Sequence, residues 1–293
     1  MVSAKSRSTA RAVDGESGGA AGRATDRPRG GVAQVVLITG ASSGIGEALA
    51  DCFAKQGFNL VLVARSADKL KELAKQLTLT HGVKAWVAPA DLSQPDAAQK
   101  LAAAMKRARR PIDVLVNCAG LLHHGGFVDM PASHHHAMIE LNITGLTSMI
   151  AHFSPPMIAR GYGRILNVAS IAAFQPIPSL ATYAATKAYV LSLTESLSEE
   201  FKGTGVSITA LCPGITATNM LTGAKAESNQ LNKLPGFLIG DAKVVAQEGF
   251  DACMRGDVIK VPGAINLATI LAVRATPKWL LRRLSGAMVR SLK

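Results

Sequence analysis

Tyr183 and Lys187 stand four residues apart at the start of a run, Tyr-Ala-Ala-Thr-Lys-Ala-Tyr-Val-Leu-Ser-Leu, with a helical pattern. That spacing puts both side chains on one helix face, one turn apart. A phenol that titrates near pKa ~10 needs a shift of about three units, roughly 4 kcal/mol, to do acid–base work near neutrality. A neighbouring ammonium favours the phenolate and has the right sign. The same pair occurs by chance on many helices, so its meaning depends on the rest of the chain.

A second constellation is Thr39-Gly40-Ala41-Ser42-Ser43-Gly44-Ile45-Gly46. It follows an apolar run beginning at Ala33 and precedes Leu49 and Phe53 at helical spacing. Strand, glycine turn and helix together present backbone N–H groups and a helix N-terminus to a pyrophosphate. In that role Gly40 permits the turn, Gly44 the approach of phosphate, and Gly46 close helix–strand packing. The next apolar run, Phe58 to Val63, ends at Ala64-Arg65, with Lys69 a turn further on. An acidic side chain there would bind a ribose 2′-hydroxyl, whereas a guanidinium suits a 2′-phosphate and selects NADP(H) over NAD(H). A third strand, Val83 to Ala88, reaches Asp91-Leu92, where a carboxylate can accept from an adenine amino group. Ile112-Asp-Val-Leu-Val leads into Asn117-Cys118-Ala119-Gly120. Asn142 lies in an apolar helical pattern, Met138 to Ile150, where it either satisfies backbone or holds a water in a proton relay. The strand Gly163 to Ala169 delivers Ser170, and Val206 to Leu211 leads to Cys212-Pro213-Gly214.

Helices expected over Ser66 to Leu79, Ser93 to Arg107 and Asp241 to Arg255 alternate with these strands. The alternation predicts a Rossmann-like α/β fold, a doubly wound parallel sheet of about seven strands flanked by helices. With 293 residues, one large domain suffices. It is expected over 33–262, between a disordered tail, 1–32, and a C-terminal extension, 263–293. The tail is rich in Ser, Ala, Arg and Gly and has no hydrophobic segment for a secretory signal, although an organellar transit peptide shares its bias. The net charge of +12 sits mostly at the two ends: residues 1–30 carry six Lys/Arg against three Asp/Glu, and 274–293 carry six and no acid. The body is near neutral and poor in aromatics, which argues against a nucleic-acid surface. Cys52, Cys118, Cys212 and Cys253 lack metal-ligand spacing and read as buried thiols in a reducing, cytoplasmic setting. No apolar run reaches the ~18 residues of a membrane span. His123, His124, His134, His135 and His136 form a patch, but consecutive histidines on a helix point apart, so no metal is expected. His123 and His124 follow a strand end and can reach a substrate.

In this order and spacing the motifs resemble the short-chain dehydrogenase/reductase family, specifically its NADP(H)-preferring single-domain members, over about residues 33–262. The resemblance rests on the Thr39–Gly46 turn, Asp91, Asn117-x-Ala119-Gly120, Asn142, Ser170, Tyr183, Lys187 and Pro213-Gly214. It implies that Tyr183 donates the proton in carbonyl reduction or removes it in alcohol oxidation. Lys187 would lower the tyrosine pKa and bind the nicotinamide ribose. Ser170 would orient the reacting oxygen, Asn142 would maintain a water relay, and Thr218 would lie near the nicotinamide amide. Where the family usually has a second Asn, this chain has Cys118, a change expected to affect strand-end packing more than chemistry. The implied activity is carbonyl reduction with NADPH, giving a secondary alcohol. The alternatives are NADP+-dependent alcohol oxidation and a non-catalytic cofactor-binding regulatory protein. A homodimer or homotetramer is implied by the resemblance alone.

Phe174, Pro176, Ile177, Pro178 and Leu180, with Met220, Leu221, Leu231, Leu234, Phe237 and Leu238 of an irregular segment, are expected on the substrate side. Their composition favours a lipophilic ketone such as an acyl chain, a steroid-like ring or a polyketide. Beyond Val258 to Pro262, a last strand, a helix is expected from Thr276-Pro277, with Leu280, Leu284, Met288 and Leu292 on one face and basic residues around it. It packs on the body or another subunit, or it makes peripheral contact with an anionic membrane.

Overall fold

Short runs of aliphatic and β-branched residues, Val35–Thr39 (β1) and Asn59–Val63 (β2), pair in parallel, Val35 against Asn59 and Thr39 against Val63. Such a run is buried on both faces only if helices cover both sides of the sheet. In the computed structural model, which describes residues 33–218, 220–222, 239–277, 279–283 and 286, they do. The remaining strands are Ala85–Val87 (β3), Val114–Asn117 (β4), Gly163–Val168 (β5), Val206–Leu211 (β6) and Ile259–Lys260 (β7). The sheet has seven parallel strands in the order β3-β2-β1-β4-β5-β6-β7.

Alternate strand residues feed two cores. Leu37, Val61, Leu115 and Ile165 meet Leu101 of α3 (Ala97–Arg107), Met149 of α5 (Leu146–Ala159) and Val190 of α6 (Ala181–Glu200). Ile38, Leu62, Val116 and Leu166 meet Leu49 and Phe53 of α1 (Gly44–Lys55), Leu70 of α2 (Ala67–His81) and Phe250 of α7 (Ala242–Arg255). Phe53 is fully buried, with Phe58 edge-on at 5.2 Å and Phe250 at 4.8 Å. Burying one such ring contributes roughly 1.5–3 kcal/mol.

Three elements differ from the sequence reading. Helix α3 starts at Ala97 rather than Ser93, because Asp91 Oδ1 accepts from the Ser93 amide (3.1 Å) and hydroxyl (2.7 Å) and holds a turn there. The single helix expected through Asn142 is α4 (Ala132–Ile139), a π-helical turn (Glu140–Gly145) and then α5. After β7 comes α8 (Ala264–Ala275), ahead of the helix expected from Thr276-Pro277. Its Ile270 and Val273 are buried against the body. Residues 279–283 are helical, as expected after Pro277. The expected tail (1–32), Leu231, Leu234, Phe237 and Leu238, and the Leu284, Met288 and Leu292 positions lie outside the described residues.

Candidate active site

The strand order reverses between β1 and β4, and in open parallel sheets a crevice forms at the strands' carboxyl ends at that point. A cleft of about 1040 Å³ lies there. Its floor is made by the β1–α1 turn. Gly40 has φ +68°, and a Cβ on it would come within 2.9 Å of Ala119 Cα. A Cβ on Gly46 would collide with the Gly40 carbonyl, so the turn and the first coil of α1 fit together only without side chains. Thr39 Oγ1 pins the facing β4 loop, accepting from the amides of Cys118 (3.0 Å) and Ala119 (3.1 Å) while donating to the Val116 carbonyl. Ser43 is extended and caps no N–H of α1 with its side chain. Those first-turn donors border the cleft beside Ser42, Gly44 and Ile45, the arrangement that binds an anion.

At the far end the cleft is walled by Ala64, Arg65, Ser66 and Lys69 on one side and Asp91 and Leu92 on the other. The Asp91 carboxyl is held below its usual range, mainly by the Ser93 hydroxyl and to a lesser degree by the nearby Arg65 charge. Two cations beside a helix-start anion site suit a dinucleotide with an extra phosphate. Ala119, Gly120, Pro213, Gly214 and Thr218 complete this half. A Cβ on Gly44 would lie 2.9 Å from the Thr218 methyl, so those two residues face each other. Asn117 is different. Its amide donates to Asn167 Oδ1 (2.9 Å), and Asn167 donates to Thr194 (2.9 Å), which ties β4, β5 and α6 together beneath the cleft rather than lining it.

Ser170, Tyr183 and Lys187 meet in the other half. Strand β5 ends at Val168, two residues before Ser170, whose Oγ accepts from the Ala172 amide (3.1 Å) and starts the 3-10 turn Ile171–Phe174. The Ser170 hydroxyl lies close enough to the Tyr183 phenol to pull its titration downward. The Lys187 ammonium donates to the Val168 carbonyl at 2.8 Å and lies 5.7 Å from the centre of the Tyr183 ring. The expected acidification of Tyr183 by Lys187 is not what this geometry gives. Burial pushes Tyr183 up to about 12, against the pull of Ser170, and no contribution from Lys187 offsets it. Burial also brings Lys187 down to about 8. Lone charges are disfavoured where water is excluded, and here that outweighs the spacing of four on α6.

Asn142 is 1% exposed, and its side chain is fully engaged. It accepts from the Leu121 amide (2.8 Å) and donates to the Leu121 carbonyl (2.9 Å) and Thr186 Oγ1 (3.1 Å). Of the two roles open from sequence, the backbone brace is therefore the one its amide fills. The π-helical turn aims it: the widened turn brings Asn142 to the β4 loop and α6 at once, and π-bulges frequently occur at functional sites. Gly120 fits between Asn142 and Lys187; a Cβ there would lie 3.4 Å from Asn142 Oδ1 and 3.5 Å from Lys187 Nζ.

Sequence reasoning missed several contributors. Cys118 is more than strand-end packing: it lines the cleft close enough to feel the Lys187 charge, with its thiol pushed up to about 12 by burial. Thr186 could have been found, since it lies three residues after Tyr183 on the same helix face. The Val168 carbonyl could not, because main-chain groups leave no mark in a sequence. On the substrate side stand Leu122, Leu141, Ile177, Leu180 and Met220, with His124 and Gln175 as polar neighbours. His124 thus borders the cleft as expected, whereas Phe174 packs against the core and Pro176 does not line the cleft. His123 stacks on His134 at 3.9 Å, and His135 contacts Thr182 Oγ1 (2.7 Å) and the Phe127 carbonyl (3.1 Å). Among the described residues, no group of His, Cys, Asp or Glu is arranged to hold a metal.

Known proteins are similar over most of this fold. The short chain dehydrogenase family profile matches residues 34–229. An uncharacterized oxidoreductase of Staphylococcus epidermidis is 35% identical over 213 residues, 73% of this chain and 90% of that protein. A short-chain dehydrogenase from Sphingobium yanoikuyae in complex with NADPH superposes with a TM-score of 0.75 at 33% identity, covering 83% of this chain and 92% of that one. A short chain dehydrogenase/reductase from Burkholderia phymatum in complex with NAD gives 0.72 at 27% identity, over 81% and 92%.

Proposed function

From the premise that the chain belongs to the short-chain dehydrogenase family and is a nicotinamide-dependent oxidoreductase, we propose that it reduces a lipophilic ketone to a secondary alcohol with NADPH. The observation that carries this is the buried Tyr183–Ser170 hydroxyl pair, with apolar walls on one side and the Arg65–Lys69 end of the cleft on the other. When bound, NADPH supplies the hydride. Arg65 and Lys69 would hold the 2′-phosphate, and the first-turn amides of α1 the pyrophosphate. Gly40, Gly46, Ala119, Gly120, Pro213 and Gly214 would leave room for the cofactor, with Asp91, Leu92 and Thr218 as its further contacts.

Ser170 and Tyr183 both hydrogen-bond the ketone oxygen, and Tyr183 passes its proton to that oxygen as negative charge develops there. A phenol near 12 keeps its proton at neutral pH, so Tyr183 is in the protonated form that carbonyl reduction requires. Lys187, held by the Val168 carbonyl, places a positive charge beside the ribose and the tyrosine that loses its proton. Asn142 keeps the Leu121 loop and α6 in register around them.

The test is a parallel panel: NADPH oxidation with acyl, steroid-like and bulky aromatic ketones, and NADP+ reduction with the matching alcohols, all at pH 7. Turnover of the ketones well above the alcohols is expected. Turnover of alcohols alone would replace this reading with the oxidative one.

A further inference from the structure

Helix α8 has three polar positions, Asn266, Thr269 and Arg274, and of its large apolar side chains only Ile270 and Val273 are buried. Ile265 (65% exposed), Leu267 (45%) and Leu271 (60%) face outward, and the positions between them on that face are alanines. At 100° per residue this uncharged, exposed arc covers nearly half of the helix. So wide an apolar face on a helix is ordinarily packed against something, and this one is missing a cover. Trp279, 54% exposed, follows it, with the Arg283 guanidinium 5.6 Å from the centre of its ring.

The surrounding charge identifies the cover. From Val258 to Lys293 the chain has no Asp or Glu, while Arg274, Lys278, Arg282, Arg283, Arg290 and Lys293 follow within and after α8. Two copies meeting through α8 would bring these cationic segments together, which opposes association. An anionic bilayer presents the opposite charge beside an apolar interior that accepts leucine, isoleucine and tryptophan. No described helix is long and apolar enough to cross a membrane. The proposal extends the sequence expectation for 276–293 but places the contact on α8. We propose that the outer face of α8, together with Trp279 and the Arg283 beside it, rests on the surface of an anionic phospholipid bilayer, with the cationic sequence that follows α8 adding to the attraction. Helix α8 packs against the 3-10 turn Ile171–Phe174, and a Cβ on Gly214 would meet the Asn266 side chain. The docked face therefore adjoins the apolar half of the cleft.

The experiment is co-sedimentation of the full chain with phosphatidylcholine vesicles, with and without phosphatidylserine, while NADPH binding is followed separately. Binding is expected only to the vesicles containing phosphatidylserine, with a blue shift of tryptophan emission. It should weaken as salt rises, at about fivefold for each cation that is screened. Ile265→Glu/Leu271→Glu, both outward-facing and therefore compatible with folding, should reduce vesicle binding at least tenfold and leave NADPH affinity unchanged. Absence of binding at low salt would overturn the proposal, as would equal binding of the double variant. So would a double variant that changes only the oligomeric state by light scattering, which would assign the face to a second copy. None of these readouts depends on turnover.

Discussion

The Tyr183 hydroxyl and its two neighbours set opposing demands. Burial holds the proton on the phenol, and Ser170 lowers the cost of losing it. Ser170→Ala should therefore leave NADPH binding intact and cut kcat by about 10²–10³, the usual loss for one donor to a developing oxyanion. Lys187 adds a pH limit. Its folded-state pKa of about 8 lies below the model-compound 10.5, so it carries charge below about pH 8 and loses it above. Reductive kcat should be level up to that point and decline beyond it; a level profile to pH 10 would remove Lys187 from the rate. The sign for stability is opposite. Between about 8 and 10.5 the unfolded chain binds more protons at this position than the folded one, so this group's contribution to stability rises with pH across that window. At the other end of the cleft, Arg65→Asp should reverse the NADPH/NADH ratio of kcat/KM, since a carboxylate repels the 2′-phosphate and can bind the 2′-hydroxyl. An unchanged ratio would assign selection elsewhere.

The elements place these residues through a few specific contacts. The glycine turn was legible because its chemistry demands glycine at Gly40 and Gly46, where the structure has no room for a Cβ. The stop of α7 at Gly256 was legible for a similar reason, as a left-handed cap with φ +77°. The π-helical turn at Glu140–Gly145 was not, because a single inserted residue barely alters an apolar pattern. The acidification expected from Tyr183 and Lys187 failed because spacing along a helix reports proximity and says nothing of desolvation. Asn142→Ala should remove the brace between Leu121 and Thr186. The expected result is a larger loss of kcat than of NADPH affinity, read by steady-state kinetics beside fluorescence titration. Phe53→Ala, which empties the contact between α1 and α7, should cost about 3–5 kcal/mol in urea unfolding without moving the pH profile.

At the scale of the whole molecule, seven parallel strands carry the residues proposed to bind the cofactor on the β1–β2–β3 side of the reversal and Ser170 and Tyr183 on the β5–α6 side. The two halves of the cleft therefore meet at one place, between β1 and β4. This architecture was readable from the alternation of strands and helices, since a parallel sheet of this kind has its ligand site at the reversal. The surface around α8 was not, because exposure belongs to the folded arrangement. A ligand that binds only the folded chain stabilises it, by about 2.7 kcal/mol at a hundredfold excess over Kd. NADPH should thus raise the unfolding midpoint more than NADH does. The most direct measurement combines that shift with turnover in Tyr183→Phe. The variant should keep the full NADPH-induced stabilisation and lose ketone reduction by at least a thousandfold. Reduction at a rate near that of the parent chain, with NADPH still bound, would contradict the assignment of the proton to Tyr183.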